Sequence, residues 1–165
     1  MNKILNELNR IEKLLFNVTS LQFSNLIEDK ESKEYLGCSF KLGKLNIKFR
    51  KAKITPKKNG QFVTLWKRNF ENKPEPYKES AIYDFYIIFT EDKENYGCFI
   101  FSKNELIKQK IISSKVGEGK RGFRVYPNWV NTENDQARKT QIWQSYYFFN
   151  APIEIEEVKK YLFEI

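Results

Sequence analysis

The chain of 165 residues contains no histidine. Ser-His and Cys-His nucleophilic pairs, histidine-held metal nucleases and an imidazole general base are therefore all excluded. Cysteine is nearly absent as well: Cys38 and Cys98 stand far apart in apolar, strand-like contexts. Two thiolates without histidine cannot supply the four ligands of a structural zinc site, so both are expected to be buried free thiols. No apolar run approaches the length of a membrane span. The opening MNKILNELNRIEKLLF breaks its apolar residues with charges and has no small-residue cleavage site, which argues against a signal peptide. A soluble, cytoplasmic protein is expected. The last absence is local. From Tyr35 to Phe70 there is no Asp or Glu, although the chain has 21 acidic residues, and the same window holds ten lysines and arginines.

Fourteen Phe, nine Tyr and three Trp give ample bulk for a folded core. The length suits one domain over residues 1–165. A net charge of +8 and a sequence pI of about 9.3 favour an anionic partner, nucleic acid before membrane, with no membrane insertion.

Periodicity divides the chain into elements. Ile4, Leu5, Leu8, Ile11, Leu14 and Leu15 recur at helical spacing, which predicts an amphipathic helix over about residues 2–16. A second short helix is expected near SLQFSNLIEDK. The period then changes to two: CSFKL and the following KLNIKFRKAKI read as strands around a turn at Gly43. QFVTLWKR reads as one strand and ENKPEPYKES as a proline-containing loop. YDFYIIF and GCFIFS predict a strand pair. KNELIKQKII is a short helix with Ser102 as N-cap, FRVYP a strand, TENDQARKTQIWQ a helix capped by Thr132 or Asn134, and PIEIEEVKKYLFEI a closing helix. The expected fold class is α+β: a single domain with a central, mixed and mostly antiparallel sheet flanked by helices.

Three constellations carry chemistry. Along residues 45–54 the side chains alternate, with Leu45, Ile47, Phe49, Lys51 and Lys53 on one face and Lys48, Arg50, Ala52 and Ile54 on the other. An edge strand guarded by lysines is the structural alternative to an anion-binding surface. GEGKRG, with Lys120 and Arg121, is a glycine-rich basic turn but lacks P-loop spacing, and no Ser or Thr follows Lys120. ARKTQIWQ places Arg138, Lys139, Gln141 and Gln144 around Trp143, a mixture that suits phosphate and base contacts or, equally, a helix anchored by its tryptophan. Trp66 and Trp129 read as packing residues.

FRKAKITPKKNGQFVTLWKR, DFYIIF, GCFIFSKNELIKQKIIS, KRGFRVYPNW and ARKTQIWQ closely resemble the MepB family, over about residues 31–147. Its bacterial members take their name from a gene that accompanies a multidrug efflux pump and its regulator. The resemblance implies a cytoplasmic protein with a restriction-endonuclease-like core and nucleic-acid binding. Nucleases of the PD-(D/E)XK type hold Mg²⁺ with an Asp on one strand and an acid on the next, two residues before a Lys. If Lys51-Ala52-Lys53 corresponds to that triplet, Lys53 takes the lysine position but Lys51 stands where the acid belongs. Cys38 stands near the expected Asp and is no ligand for a hard cation. Glu34 matches an accessory acid.

These readings combine into one expectation. The protein binds nucleic acid, duplex DNA first, with little sequence specificity and without catalysis, using no cofactor and no metal. Lys48, Arg50, Lys51, Lys53, Lys57 and Lys58 are the expected phosphate contacts, with Lys67, Arg68, Arg121, Arg124, Arg138, Lys139 and Gln141 as a second tier. Two alternatives belong to other classes: a metal-dependent nuclease using Glu34 and Asp84, and a protein-interaction accessory of an efflux or regulator system.

Overall fold

The structure is a computed structural model that describes residues 2–16 and 23–163. The expectation for the side chain of Leu15 and for residues 20–22 of the second helix lies outside the described residues. Helix α1 (Asn2–Phe16) forms where its period predicts, with Ile4, Leu8 and Ile11 buried and Leu5 left at the exposed margin. Strand β1 (Phe23–Glu28) replaces the second helix. It pairs with β2 (Cys38–Leu42), its register shifts between Ser24 and Ile27, and Phe23 packs on Phe40 with ring centroids 5.3 Å apart. A short apolar run has no period long enough to separate helix from strand, so pairing decided the outcome.

Gly43, at φ +59°, turns β2 into β3 (Leu45–Lys51), with Leu42 opposite Leu45. The remaining long strands are β8 (Phe85–Asp92) and β9 (Asn95–Ser102). Together with β11 (Phe148–Asn150), which carries no sequence signal of its own, they complete a six-stranded sheet in the order β1-β2-β3-β8-β9-β11. Every neighbouring pair is antiparallel except β3 with β8. Between those parallel partners runs a long crossover that holds β4 (Lys53–Ile54), β5 (Gln61–Thr64), β6 (Trp66–Arg68) and β7 (Pro74–Pro76).

QFVTLWKR is therefore two strands. Leu65 is buried between them and its backbone N–H donates to the Arg121 carbonyl. Before it, β5 joins a three-stranded sheet β10-β5-β4 with β10 (Gly122–Val125); after it, β6 pairs with β7, inside the stretch read as a loop. Helices α2 (Lys103–Lys108) and α3 (Asp135–Ser145) start at the side-chain caps Ser102 and Asn134, and α4 (Ile155–Phe163) ends the described chain.

The large sheet is covered on both faces. One face packs α1 and α4 through Leu8, Ile11, Val158 and Leu162; the other packs the small sheet and α2 through Val63, Val125, Leu106 and Ile112. Burial on both faces explains why FYIIFT is continuously apolar rather than alternating. It also overturns the edge-strand alternative, because β3 is hydrogen-bonded on both sides.

Candidate nucleic-acid interface

The alternation along β3 is as expected, but its consequence is not. Ile47 and Phe49 point into the helix-covered core, and Lys48 and Arg50 point the other way, under the small sheet. Lys48 is 2 % exposed and Arg50 is 0 % exposed. They are therefore not the surface phosphate contacts that their charge pattern suggested: a central strand with both faces covered offers no water-facing side. Asp29, just after β1, meets both charges. Its carboxylate accepts from Lys48 Nζ at 2.9 and 3.0 Å and from Arg50 Nη1 at 2.6 Å. Arg50 Nε donates to the Thr64 carbonyl at 3.1 Å. The Lys48 ammonium also sits 4.4 Å from the Tyr83 ring centroid and 5.2 Å from that of Tyr77. Burial opposes the Lys48 charge, but Tyr77, Asp29 and Tyr83 outweigh it and hold the group above its ordinary value. Two cations thus share one carboxylate in the interior, and the buried Arg50 Nη2 and Tyr86 hydroxyl have no hydrogen-bond partner among the described residues.

Lys51 and Lys53 are partly accessible, and both meet acids. Lys51 bridges Glu91 at 2.7 Å and Glu7 at 3.4 Å, and Arg10 joins the same two carboxylates at 2.7 Å to Glu7 and 2.8 Å to Glu91. The hydrogen bond from Arg10 is the largest influence on Glu7 and lowers its pKa below the usual 4.5 against the effect of burial. For Glu91, burial pushes upward, but Lys51 and Arg10 prevail and the pKa is lowered too. Lys53 lies 3.4 Å from Glu34 and 5.1 Å from the Tyr35 ring centroid. Asp84 accepts a hydrogen bond from the Asn46 backbone N–H at 2.8 Å, which ties the starts of β3 and β8. Cys38 and Cys98 are free and buried, as expected, and burial pushes both thiols up to about 12.

The other basic residues form two groups around the small sheet. Gly60, at φ +78°, closes the turn after Lys57 and Lys58, and a Cβ there would stand 2.7 Å from the Tyr126 ring. This close approach sets the turn against β10. Arg124 reaches back to it, donating to the Asn59 carbonyl at 3.3 Å and to the Thr55 hydroxyl. Gln144 of α3, fully buried, accepts from the Tyr126 N–H at 2.8 Å and donates to the Arg124 carbonyl at 2.9 Å. These contacts shape a cleft of about 480 Å³ between the turn, β10 and α3. Lys57, Lys58, Lys120 and Arg124 line it, and none has an acidic partner among the described residues; Glu133 is the single carboxylate in the lining.

At the opposite end of the small sheet, Lys67 pairs with Glu75 at 3.4 Å, Arg68 donates to the Asn72 carbonyl at 3.0 Å over the Trp66 ring, and Arg121 donates to the Pro74 carbonyl at 3.3 Å. On α3, Arg138 pairs with Asp135 at 2.6 Å and Lys139 is exposed. Gln141 is a correction. Its amide donates to the Pro127 and Val130 carbonyls at 3.1 and 2.9 Å, which pins the loop before α3 rather than leaving the side chain free to read a base. Asp29 is the residue that sequence reasoning missed, whereas Lys120 and Gln144 belonged to constellations already singled out. Asp29 meets its partners 19 and 21 positions away, and no local pattern signals such a pair.

A family model described as MepB-like matches residues 29–150. The chain belongs to the MepB-like family. A solved structure described as the crystal structure of MepB is 34% identical, covers 93% of this chain and all of its own, and superposes with a TM-score of 0.79. No curated protein matches. The MepB-like match takes in every residue of the cleft and of the Asp29 cluster, and it stops before α4. Among the described residues no group of three or more His, Cys, Asp or Glu is placed to hold a metal ion, and no helix is long and apolar enough to cross a membrane.

Proposed function

We propose that this MepB-like protein binds nucleic acid, duplex DNA in the first instance, through its phosphate backbone and without cutting it. The observation that carries the reading is the cleft in which Lys57, Lys58, Lys120 and Arg124 converge, four cations against the single carboxylate of Glu133 and none of them ion-paired among the described residues. Uncompensated cations concentrated in a concave surface favour an anion. Further cations continue the basic surface from there: Arg121 follows Lys120 directly before β10, and Lys67 and Arg68 stand on β6. That spread suits a polyanion, whose phosphates recur along a strand, better than a single phosphate. Lys53, Arg138 and Lys139 serve as flanking contacts.

Hydrolysis is not part of the reading. If Lys51-Ala52-Lys53 corresponds to the PD-(D/E)XK triplet, Lys51 stands in place of the metal-binding acid, and it is ion-paired with Glu7 and Glu91. A hard divalent cation needs several oxygen ligands, and an ammonium at that position repels it. The family resemblance implies a restriction-endonuclease-like core for this binding surface.

The test is duplex affinity across a salt series. Neutralising four phosphates predicts that log K falls against log salt with a slope of roughly −3.6. Absence of saturable, salt-sensitive binding at low salt would defeat the proposal. Incubation with Mg²⁺ or Mn²⁺ is expected to leave the duplex intact, and reproducible metal-dependent cutting would replace the binding module with an enzyme.

A further inference from the structure

The cleft is more than a patch of charge. Its lining includes Trp143, Phe123 and Tyr126 beside the cations, and the half-buried Trp143 meets Phe101 of the core at 5.4 Å between ring centroids. The indole is thus wedged between the interior and the cavity. Lysines reach duplex phosphates from a flat surface and need no aromatic wall for that purpose. A cavity lined both by cations and by a flat ring matches the two ends of a nucleotide instead, the phosphate and the base. Its volume of about 480 Å³ falls within the range of sites that enclose small molecules, roughly 300–1,000 Å³. A duplex would lie across the mouth and leave this interior unfilled.

We propose that the cleft takes one unpaired nucleotide of a DNA strand, at a frayed end or overhang beside a duplex. The base lies against Trp143 and the phosphate between Lys57, Lys58 and Arg124. A strand is favoured over a free nucleotide because the basic surface continues past the cleft to Lys67 and Arg68 on β6, outside the cleft lining. This inference rests on the nucleic-acid reading above and refines its ligand.

The experiment compares a blunt duplex with the same duplex carrying a short oligothymidine overhang, and with thymidine 5′-monophosphate alone, all at one low salt concentration. A stacked base is expected to tighten binding of the overhang about tenfold over the blunt duplex and to quench tryptophan emission. Trp143→Leu, which keeps an apolar group against Phe101, should bring the two affinities together and abolish the quench. If that variant does not fold, the ratio measured on the unaltered chain decides. Equal affinity for blunt and overhanging duplexes overturns the cleft assignment while leaving duplex binding standing. Binding of the mononucleotide as tight as that of the overhang overturns the strand assignment in favour of a free nucleotide. No binding to any of the three removes this inference together with the reading beneath it.

Discussion

Lys48 and Arg50 lie within ten positions of Lys57 and Lys58, in the same acid-free window, yet the two pairs meet opposite surroundings. The first pair sits on a central strand under a second sheet, out of water, and shares the carboxylate of Asp29. The second sits on a turn lining a cleft, exposed to water, with no ion-pair partner among the described residues. Charge in the interior must be paired because desolvation is expensive, whereas charge in solvent can stay unpaired and so remain available to a ligand. The lesson is that a run of cations does not define a surface. Coverage of the strand decides which members are structural and which are free to bind.

The largest expected effect tests the buried side. Asp29→Ala leaves two cations in the core without a counter-charge and should cost about 3–5 kcal/mol, seen in a urea titration or as a fall in Tm of about 10 °C or more. Adding Lys48→Met and Arg50→Met to the same chain should recover most of that loss, since apolar groups of similar volume need no partner. If Asp29→Ala alone costs less than about 1 kcal/mol, these cations reach water and the contrast collapses.

Next comes Gly37→Ala. A Cβ at Gly37 would stand 2.7 Å from Ser32 Cβ and 3.0 Å from Arg50 Nη1. A loss of roughly 1–3 kcal/mol is expected from this crowding of the Asp29–Arg50 contact, measurable in the same titration. A neutral result would mean that the segment holding Asp29 shifts easily.

On the exposed side, replacing Lys57 and Lys58 together by Ala should leave stability within about 0.5 kcal/mol. The same change should weaken duplex binding uniformly across sequences and flatten the salt slope by up to about 1.8. Loss confined to particular sequences would point to base contacts instead. The double change of Lys51 and Lys53 to Ala should alter the slope by less than about 0.9, because both lysines already have carboxylate partners. An effect as large as that of Lys57 and Lys58 would move the binding surface to the α1 side of the molecule.

The smallest effect concerns pH. Glu7 and Glu91 have their folded-state pKa lowered from 4.5, so the stability they contribute is present above that value and lost as pH falls through the lower folded values. Arg10→Ala should make this acid loss shallower. The change is expected to be slight, since Arg10 is well exposed and solvent weakens its pairs. An unchanged acid limb would show that Lys51 alone sets both carboxylates.

Much of the fold was legible because it depends on local patterns. The helical period of α1, the turn at Gly43, the alternation of β3 and the caps Ser102 and Asn134 all involve residues close in sequence. The misreadings have a common cause. β1 and β11 are short and are defined by what they pair with, and QFVTLWKR divides at Leu65 because it pairs with β10 before that residue and with β7 after it. The candidate site was half legible. Lys57, Lys58, Arg124 and Trp143 carried a chemical signal, whereas Gln141 had the right chemistry for base contacts and is committed to two carbonyls.

The α+β class, the absence of histidine chemistry and the net positive charge were legible without coordinates, because composition and periodicity follow from residue type and near neighbours, and the MepB-like resemblance was carried by motifs such as FRKAKITPKKNGQFVTLWKR and KRGFRVYPNW. Only the tertiary structure decided that β3 is central, that Asp29 closes over Lys48 and Arg50, and that Lys57, Lys58, Lys120 and Arg124 share one cleft. The physical reason is that burial is a property of what covers a residue. The segments covering β3 come from distant parts of the chain, so the same lysine pattern can end in water or in the core.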